Sequence, residues 1–421
     1  MPENHLRSAQ VDNSDTGRLQ INVTSTLGLI PIENATVTIS YTGVPDVAIE
    51  RLTTNSSGKT ETIDLPAPPF EYSQQPEEPR PYSEYNVMVE APGYEPVMVS
   101  GTEILPEVTA VQPIRMIPLA EERGIEEDIV IPEHTLYGEY PPKIPEDEIK
   151  PIDESGEIVL SRVVIPEYIV VHDGVPDDTT APNYYVRYRD YIKNVVSSEI
   201  YATWSENAIY ANTLVIMSFT LNRVYTEWYR NKGYNFTITS STAYDQKWMR
   251  GRNVYENIDQ VVDSVFANFL SRPGVRQPIL TSYCDGQRVT CDGLSQWGSH
   301  YLGEEGYTPV EIIRYYYGSD MYINTAESIA GVPSSWPGYD LTIGATGDKV
   351  RQMQQQLNRI AQNYPAIPRI AVDGVYGPAT AEAVRTFQGI FNLPQTGVVD
   401  YPTWYSISNI YVGVSRIAEP S

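Results

Sequence analysis

One acidic residue near the middle of the chain lies where it could do acid–base chemistry. In residues 191–206, a helical period of 3.6 puts Ile192, Val195 and Val196 on one face. Glu199 falls on the same face, at the C-terminal end of this apolar stripe. Burial there would disfavour the charged carboxylate and raise its pKa, which lets a Glu donate a proton to a glycosidic oxygen. The alternative is a structural Glu that pairs with Arg or Lys.

Several further side chains have the chemistry that binds sugars. Amide and hydroxyl groups can hydrogen-bond N-acetyl groups, and aromatic rings can stack on sugar faces. The hydrogen-bonding candidates are Gln246, Ser295 and Gln296, and the stacking candidates are Trp248, Tyr283 and Trp297. For each of them, ordinary packing in the protein interior is the competing interpretation.

The number of catalytic carboxylates stays open at this point. Retaining and inverting glycosidases need two carboxyl groups. An enzyme whose sugar substrate supplies one of its own hydroxyl groups as the nucleophile needs only one. Glu199 alone meets that need. The same region also contains Glu206, Asp245, Asp285 and Asp292, so counting does not exclude a two-carboxylate enzyme.

The two cysteines, Cys284 and Cys291, have two interpretations. They could form a disulfide that staples the loop 284–298, or Cys284 could pair with His300 as a thiol nucleophile. The four histidines, at positions 5, 134, 172 and 300, lack the spacing of metal ligands. We therefore predict no metal and no cofactor.

Net charge and hydropathy limit the kinds of partner that this protein is expected to bind. The formal net charge of −25 argues against nucleic acid, whose phosphates would be repelled. Residues 1–162 hold 29 acidic and 10 basic side chains, a balance of −19, and the remaining residues hold 25 and 19, a balance of −6. The sequence has no run of about 20 apolar residues that would span a membrane. No apolar run follows the first residues, so we expect no secretory signal.

Helices and strands must position these residues, and the pattern of helices and strands expected from the sequence indicates a multidomain α+β protein. The expected units are a flexible N-terminus at 1–16, a β-sandwich at 17–118, a linker at 119–162, an α+β catalytic domain at 163–330 and a three-helix domain at 331–421. Short alternating strands separated by turn residues indicate the sandwich. The linker is rich in Pro and, from Glu121 to Glu157, holds 13 acidic and 3 basic residues, which predicts an extended tether or a processing site.

Within the catalytic domain, hydrophobic periodicity predicts the order of elements. We expect a strand at 163–171, the helix that ends near Glu199, and a buried central helix that Ser205 caps. The remaining predictions are strands at 234–240 and 278–283 and helices at about 258–270 and 307–317.

The motif order of the N-terminal unit resembles a known domain. The motifs are Pro31-Ile-Glu-Asn-Ala35, Thr54-Asn-Ser-Ser-Gly58 and Ala91-Pro-Gly93-Tyr94. They are similar to the carboxypeptidase regulatory-like (transthyretin-like) domain. The resemblance implies a structural or inhibitory module without catalytic residues.

The central region carries a longer ordered set of motifs. They are Tyr191-Ile-Lys-Asn-Val-Val-Ser-Ser-Glu199, Glu206-Asn-Ala208, Gln246-Lys-Trp248, Ser295-Gln-Trp-Gly298 and Tyr316-Tyr-Gly318. The set resembles the stage II sporulation protein D family of peptidoglycan lytic transglycosylases, over about residues 180–322. The resemblance implies that Glu199 is the catalytic acid and that the loop 295–298 lines the sugar cleft. Asn212, Met217 and the stretch 243–246 depart from the family pattern, and the lack of His and Cys in that stretch agrees with our prediction of no zinc site.

The end of the chain repeats a scheme of a Gly turn, a Thr cap and a helix. The stretches Asp373-Gly-Val-Tyr-Gly377 and Gly397-Val-Val-Asp400 carry it. This pattern resembles the three-helix peptidoglycan-binding domain of wall hydrolases.

The whole arrangement is similar to the spore-cortex-lytic enzymes of clostridia. That resemblance implies an inactive precursor stored in the spore, with cortex peptidoglycan as substrate. A subtilisin-like germination protease would activate it by cutting between about Pro118 and Val163. The N-terminal part would then cover or misorient the cleft before the cut. The competing functions are an N-acetylmuramoyl-L-alanine amidase, alone or in addition, and a wall-binding protein without catalysis.

Overall fold

The computed structural model describes residues 15–26, 29–119, 127–150, 162–330 and 336–415. Sheets dominate the N-terminal part of these ranges, and eight α-helices lie in the remainder. The predicted multidomain mixture of sheets and helices is confirmed at this level. No helix within the described ranges combines the length and the apolar character needed to cross a membrane.

The N-terminal strands form two sheets. They are β1 (Asp15–Ser25), β2 (Thr36–Tyr41), β3 (Ala48–Thr53), β4 (Ile63–Ala67), β5 (Ser83–Glu90), β6 (Val97–Ile104), β7 (Thr109–Met116) and β8 (Glu127–Val130). One sheet has the order β3-β2-β5-β6-β8, and the other places β7, β1 and β4 side by side. On β1, the buried Leu19, Ile21 and Val23 alternate with partly exposed residues, as in a strand with one face on a core. We call these two sheets the sandwich.

The central region combines short strands with five helices. Its strands are β9 (Val164–Ile165), β10 (Tyr168–His172), β11 (Asn183–Arg187), β12 (Ile238–Thr239), β13 (Val254–Tyr255), β14 (Asn268–Ser271), β15 (Tyr283–Cys284), β16 (Leu294–Ser295), β17 (Tyr322–Thr325) and β18 (Ser328–Ile329). Its helices are α1 (Tyr188–Glu199), α2 (Glu206–Tyr225), α3 (Glu256–Val265), α4 (Gln296–Glu304) and α5 (Pro309–Tyr317). Helix α2 is apolar nearly all round and is surrounded by the other four helices, which makes it the centre of the core.

The C-terminal helices are α6 (Asp348–Ile360), α7 (Pro378–Ile390) and α8 (Tyr401–Ser415). A buried glutamine explains the repeated Gly turns. Gln354 accepts from the Gly374 amide at 2.8 Å, and Gln388 accepts from the Gly397 amide at 2.8 Å. Each glutamine therefore fixes a turn in which Gly has a positive φ, a conformation that suits Gly.

Some elements are shorter than the sequence predicts. Helix α3 ends at Val265, and residues 268–271 form β14, which pairs antiparallel with β17. This long-range pairing overrides the local helical pattern. Pro166 separates β9 from β10 within the predicted strand 163–171, because Pro has no amide hydrogen for a ladder. The predicted strands at 234–240 and 278–283 are reduced to β12 and β15.

Candidate active site

Helix α1 carries Glu199 into the protein interior. Ile192, Val195 and Val196 are fully buried on the face that the helical period predicts, and Glu199 is 4% exposed. The helix ends at Glu199 because Ile200 has extended backbone angles. The carboxyl group is thus held at the last turn of a rigid, packed helix.

Three hydrogen-bond donors surround the Glu199 carboxyl group. Oε1 accepts from the Lys247 backbone amide at 2.9 Å and from the Tyr283 hydroxyl at 3.4 Å. Oε2 accepts from Nε2 of Gln296 at 3.2 Å. Burial, together with the charge of Glu199, raises the pKa of Tyr283 well above its ordinary value, so this hydroxyl remains a donor. The site therefore brings Glu199 together with two of the residues predicted from the sequence.

Gln246 lies one layer behind the carboxyl group. It is fully buried, and its Oε1 accepts from Thr220 at 2.7 Å and from Tyr191 at 3.1 Å. Its Nε2 donates to the Ile216 carbonyl at 3.0 Å. These bonds use the amide inside the protein, so the structure places Gln246 where it positions the adjacent Lys247 amide.

Asp245 is fully buried and engaged in other contacts. Its Oδ1 accepts from Nε of Arg223 at 2.7 Å, and Oδ2 accepts from the hydroxyls of Tyr229 and Thr239 at 2.7 Å each. Asp285 accepts from three backbone amides of its own loop, at residues 287–289. Both carboxylates are therefore occupied by contacts that fix loops.

The loop 284–298 is closed at its base and supplies Gln296. Cys284 and Cys291 form a disulfide, so Cys284 is not a free thiol in this structure. Ser295 caps α4 by accepting from the Gly298 amide at 2.9 Å. A side chain at Gly286, where φ is +77°, would collide with Ser295, and this explains the Gly in the turn.

The two tryptophans of the predicted set pack on other aromatic rings. Trp297 is buried in an aromatic cluster, with its ring 5.0 Å from that of Trp204. Trp248 packs on Tyr184 at 5.4 Å and lines a cavity of about 580 Å³ between the sandwich, the central region and the C-terminal helices. Both rings are thus engaged in packing inside the protein, which is the interpretation that competes with stacking on a sugar.

Part of the predicted linker crosses this site. We call residues 131–150 the strap. Near its start, Nε2 of His134 lies 3.0 Å from the Ile200 carbonyl, and the Thr135 amide donates to the Ser198 carbonyl at 3.1 Å. The strap is thus attached to both sides of Glu199 along the chain. These residues therefore contact the central region and do not form the extended tether that the sequence predicts.

The rest of the strap is anchored by charged and backbone contacts. Nη1 of Arg288 donates to the carbonyls of Tyr137 and Gly138 at 2.7 and 2.8 Å. The Ile144 amide donates to the Ala243 carbonyl at 2.7 Å. Arg272 donates to both oxygens of Glu148, at 2.6 and 2.8 Å. Contacts between residues so far apart in the sequence cannot be predicted from local composition.

Lys143 of the strap lies over the candidate site. Its ammonium nitrogen is 4.1 Å from the ring centre of Tyr283 and 4.5 Å from that of Phe219. Within the described ranges this buried nitrogen has no hydrogen-bond partner. Burial lowers the pKa of Lys143 to about 8, and the charge of Glu199 opposes that change. Sequence analysis did not identify Lys143, although it is one of few cations in an acidic segment.

Within the described ranges, no group of three or more His, Cys, Asp or Glu residues is arranged to hold a metal ion.

Solved structures resemble only parts of the chain. The TIE protein of Bacillus anthracis is 18% identical over 25% of this chain and 17% of its own, with a TM-score of 0.19. A minor pilin of Streptococcus agalactiae is 16% identical over 26% and 48%, with a TM-score of 0.19. The 5-hydroxyisourate hydrolase of Klebsiella pneumoniae is 17% identical over 24% and 92%, with a TM-score of 0.17. Similarity at these TM-scores supports no conclusion about this protein.

A curated relative matches a short stretch. The zinc D-Ala-D-Ala carboxypeptidase of Streptomyces albus G is 38% identical over 74 residues, which are 17% of this chain. The chain spans about a quarter of that relative, 27% of its length. Residues 177–270 match the stage II sporulation protein family, and residues 346–407 match a family described as a peptidoglycan binding domain. A sporulation-protein domain and a peptidoglycan-binding domain on one chain are typical of a protein that acts on the cell wall.

Proposed function

We propose that the protein is a peptidoglycan lytic transglycosylase in which Glu199 is the single acid and base. The observation that carries this proposal is the buried Glu199 carboxyl group, which Tyr283 and Gln296 hold in place. It lies in the region that matches the stage II sporulation protein family. The C-terminal helices, which match the peptidoglycan-binding family, would keep the enzyme on its polymeric substrate.

The proposed reaction moves one proton out and one proton back. Glu199 protonates the oxygen that leaves as the bond to the anomeric carbon of N-acetylmuramic acid breaks. The C6 hydroxyl of the same muramic residue then attacks that carbon and returns its proton to the Glu199 carboxylate. No water is consumed, and the cleaved strand ends in 1,6-anhydromuramic acid. One carboxyl group is enough because the nucleophile belongs to the substrate.

We also propose that the described form is an inactive precursor. The strap covers Glu199, and Lys143 lies over the Tyr283 ring where a sugar face would stack. The strap, which was predicted from the sequence to be a linker, is therefore the segment that would block the cleft. A subtilisin-like germination protease would cut between about Pro118 and Val163, and the enzyme would act on cortex peptidoglycan in the spore.

Mass spectrometry of digested wall tests the proposal. The full chain and the chain cut within both residues 120–126 and residues 151–161 are incubated with purified cortex peptidoglycan, and the released fragments are compared. We expect 1,6-anhydromuramic ends from the cut chain and few from the full chain. Free stem peptides would instead support an amidase, and free D-alanine would support the peptidase class that the zinc carboxypeptidase match raises. Wall binding without any fragments would mean a non-catalytic protein.

A further inference from the structure

The sandwich shares a sheet with the central region. Strand β13 pairs antiparallel with β7, with Val254 opposite Val111 and Tyr255 opposite Ala110. Strand β13 is thus the edge strand of the sheet that β7, β1 and β4 form. A ladder between two units satisfies backbone groups that would otherwise be exposed at a sheet edge.

Side-chain amides next to this strand bind the backbone of the other unit. The Glu103 amide donates to Oδ1 of Asn253 at 3.0 Å, and Nδ2 of Asn253 donates to the Glu103 carbonyl at 3.0 Å. Nε2 of Gln112 donates to the Gly251 carbonyl at 2.8 Å. Asn253 and Gln112 are fully buried, so separation of the two units would leave these polar groups without partners until water enters.

A second contact lies in the connection between β4 and β5. Nε1 of Trp204 donates to the Ser73 carbonyl at 2.9 Å, and the Thr203 hydroxyl donates to the Ser73 hydroxyl at 2.8 Å. Trp204 is 3% exposed and also stacks on His300. The sandwich therefore holds the central region at two separate places.

A buried ion pair links this interface to the helix of the candidate site. Nη1 of Arg252 lies 2.6 Å from Oε1 of Glu103, an ionic contact without hydrogen-bond geometry, and their side chains are 0% and 1% exposed. Nη2 of the same Arg252 donates to the Ser197 carbonyl at 2.7 Å. Ser197 is in the last turn of α1, two residues before Glu199. A chain of contacts thus runs from the sandwich through one guanidinium group to the helix end that carries the acid.

We propose that the sandwich is a permanent subunit of the protein, which stays bound after the chain is cut on both sides of the strap, and that Glu103 is a positioning residue for Glu199. Glu103 acts through Arg252, because the carboxylate holds the guanidinium group that holds the Ser197 carbonyl. The positioning role rests on the proposed function, whereas retention of the sandwich does not. The strap would leave the cleft, and the sandwich would remain.

The test for retention uses the full chain with protease sites placed in residues 120–126 and 151–161, so that β8 leaves with the strap and strands β1 to β7 make up the sandwich fragment. After both cuts, size-exclusion chromatography and native mass spectrometry should show the sandwich fragment bound to the remainder of the protein. Separate elution of an intact, folded sandwich fragment would overturn the proposal. Glu103→Gln leaves the Arg252 charge buried without its partner, and we expect the dissociation constant to rise roughly 30-fold or more.

Arg115→Ala is the matched control. Arg115 of β7 pairs with Asp190 of α1 at 3.0 Å across the same two units, but the side chains are 50% and 42% exposed. An exposed pair contributes little, so the dissociation constant should stay within about 5-fold. An equal effect of the two substitutions would overturn the role of the buried ion pair.

Steady-state kinetics on cortex peptidoglycan test the positioning role of Glu103. They are measured at protein concentrations where the sandwich fragment with Glu103→Gln is still bound to the remainder of the protein. We expect a maximal rate at least about 10-fold lower, with the half-saturating wall concentration within about 2-fold, since the acid is displaced while the wall-binding helices are intact. An unchanged maximal rate would refute positioning. If the wild-type cut protein keeps its sandwich but cleaves no glycan, the proposed function fails while retention stands.

Discussion

Replacement of Lys143 by Met should tighten the strap at neutral pH. The buried Lys143 ammonium group has no hydrogen-bond partner in the described part of the chain, and burial lowers its pKa from 10.5 to about 8. That lowering corresponds to about 3 kcal/mol in favour of the neutral amine. The Lys143 stem is partly exposed, and both solvent screening and the cation–π contacts with Tyr283 and Phe219 reduce the cost, so we expect about 1–3 kcal/mol. Met keeps the length and the apolar contacts without the charge.

The sign of the pH dependence follows from the two pKa values. The docked pKa lies below that of the free lysine, so docking releases a proton between about pH 8 and pH 10.5. Docking of the native strap should therefore strengthen as the pH rises through that window. Below pH 8, docking carries the full free-energy cost of burying the charged Lys143 ammonium group. The advantage of Lys143→Met should be largest at pH 7 and should shrink towards pH 10.

The affinity of a fluorescent peptide measures this effect of Lys143 on docking. The peptide has the sequence of residues 127–150, and it is added to the doubly cut protein after the protein's own strap has been removed. At pH 7 the Lys143→Met peptide should bind roughly 5- to 150-fold more tightly than the native peptide. The difference between the two peptides isolates Lys143, because Lys247 beneath the strap is common to both. Glu139→Gln, at an exposed position of the strap, is the control for a change of one charge and should have little effect. Equal or weaker binding of the Met peptide at pH 7, or an advantage that is the same at pH 7 and pH 10, would refute the reasoning.

Three further predictions follow from the described contacts. Tyr283→Phe removes one long hydrogen bond to Glu199 and should slow glycan release by about 2- to 10-fold without loss of fold; an unchanged rate would show that the hydroxyl has no part in the site. Burial lowers the pKa of His134 well below 6.5, so strap docking should weaken as the pH falls below 6.5, and this acid sensitivity of peptide binding should be smaller in His134→Gln. Cys284→Ser with Cys291→Ser opens the loop that carries Gln296 and should cost about 2 kcal/mol in urea unfolding under non-reducing conditions, whereas unchanged stability would mean that the disulfide does not constrain the loop.

Local periodicity predicted that Glu199 is buried at the end of α1. The stripe of Ile192, Val195 and Val196 fixes which face of α1 is buried, and Glu199 shares that face. Gln296 came from a motif and Tyr283 from its aromatic side chain, and the structure places both at the carboxyl group. Helix phase and short motifs are properties of neighbouring residues, so they can be read from sequence.

Contacts between distant segments could not be read in the same way. Trp248 and Trp297 have the right side-chain type, but the sequence does not say which surface each ring faces, and the structure packs both on other aromatic rings. The acidic, Pro-rich composition of the strap predicted a tether, whereas Arg288 and Arg272 hold it across more than a hundred positions of sequence. The Glu103–Arg252 ion pair is hidden for the same reason.

Glu199→Gln in the doubly cut protein tests the central claim most directly. Gln has nearly the same shape as Glu but no proton to donate, so the variant should fold, keep its affinity for cortex peptidoglycan and release no 1,6-anhydromuramic fragments in mass spectrometry. Wild-type protein cut in the same way should release them. Anhydromuramic products from the Gln variant at the wild-type rate would contradict the assignment of Glu199 as the acid that cleaves the glycan.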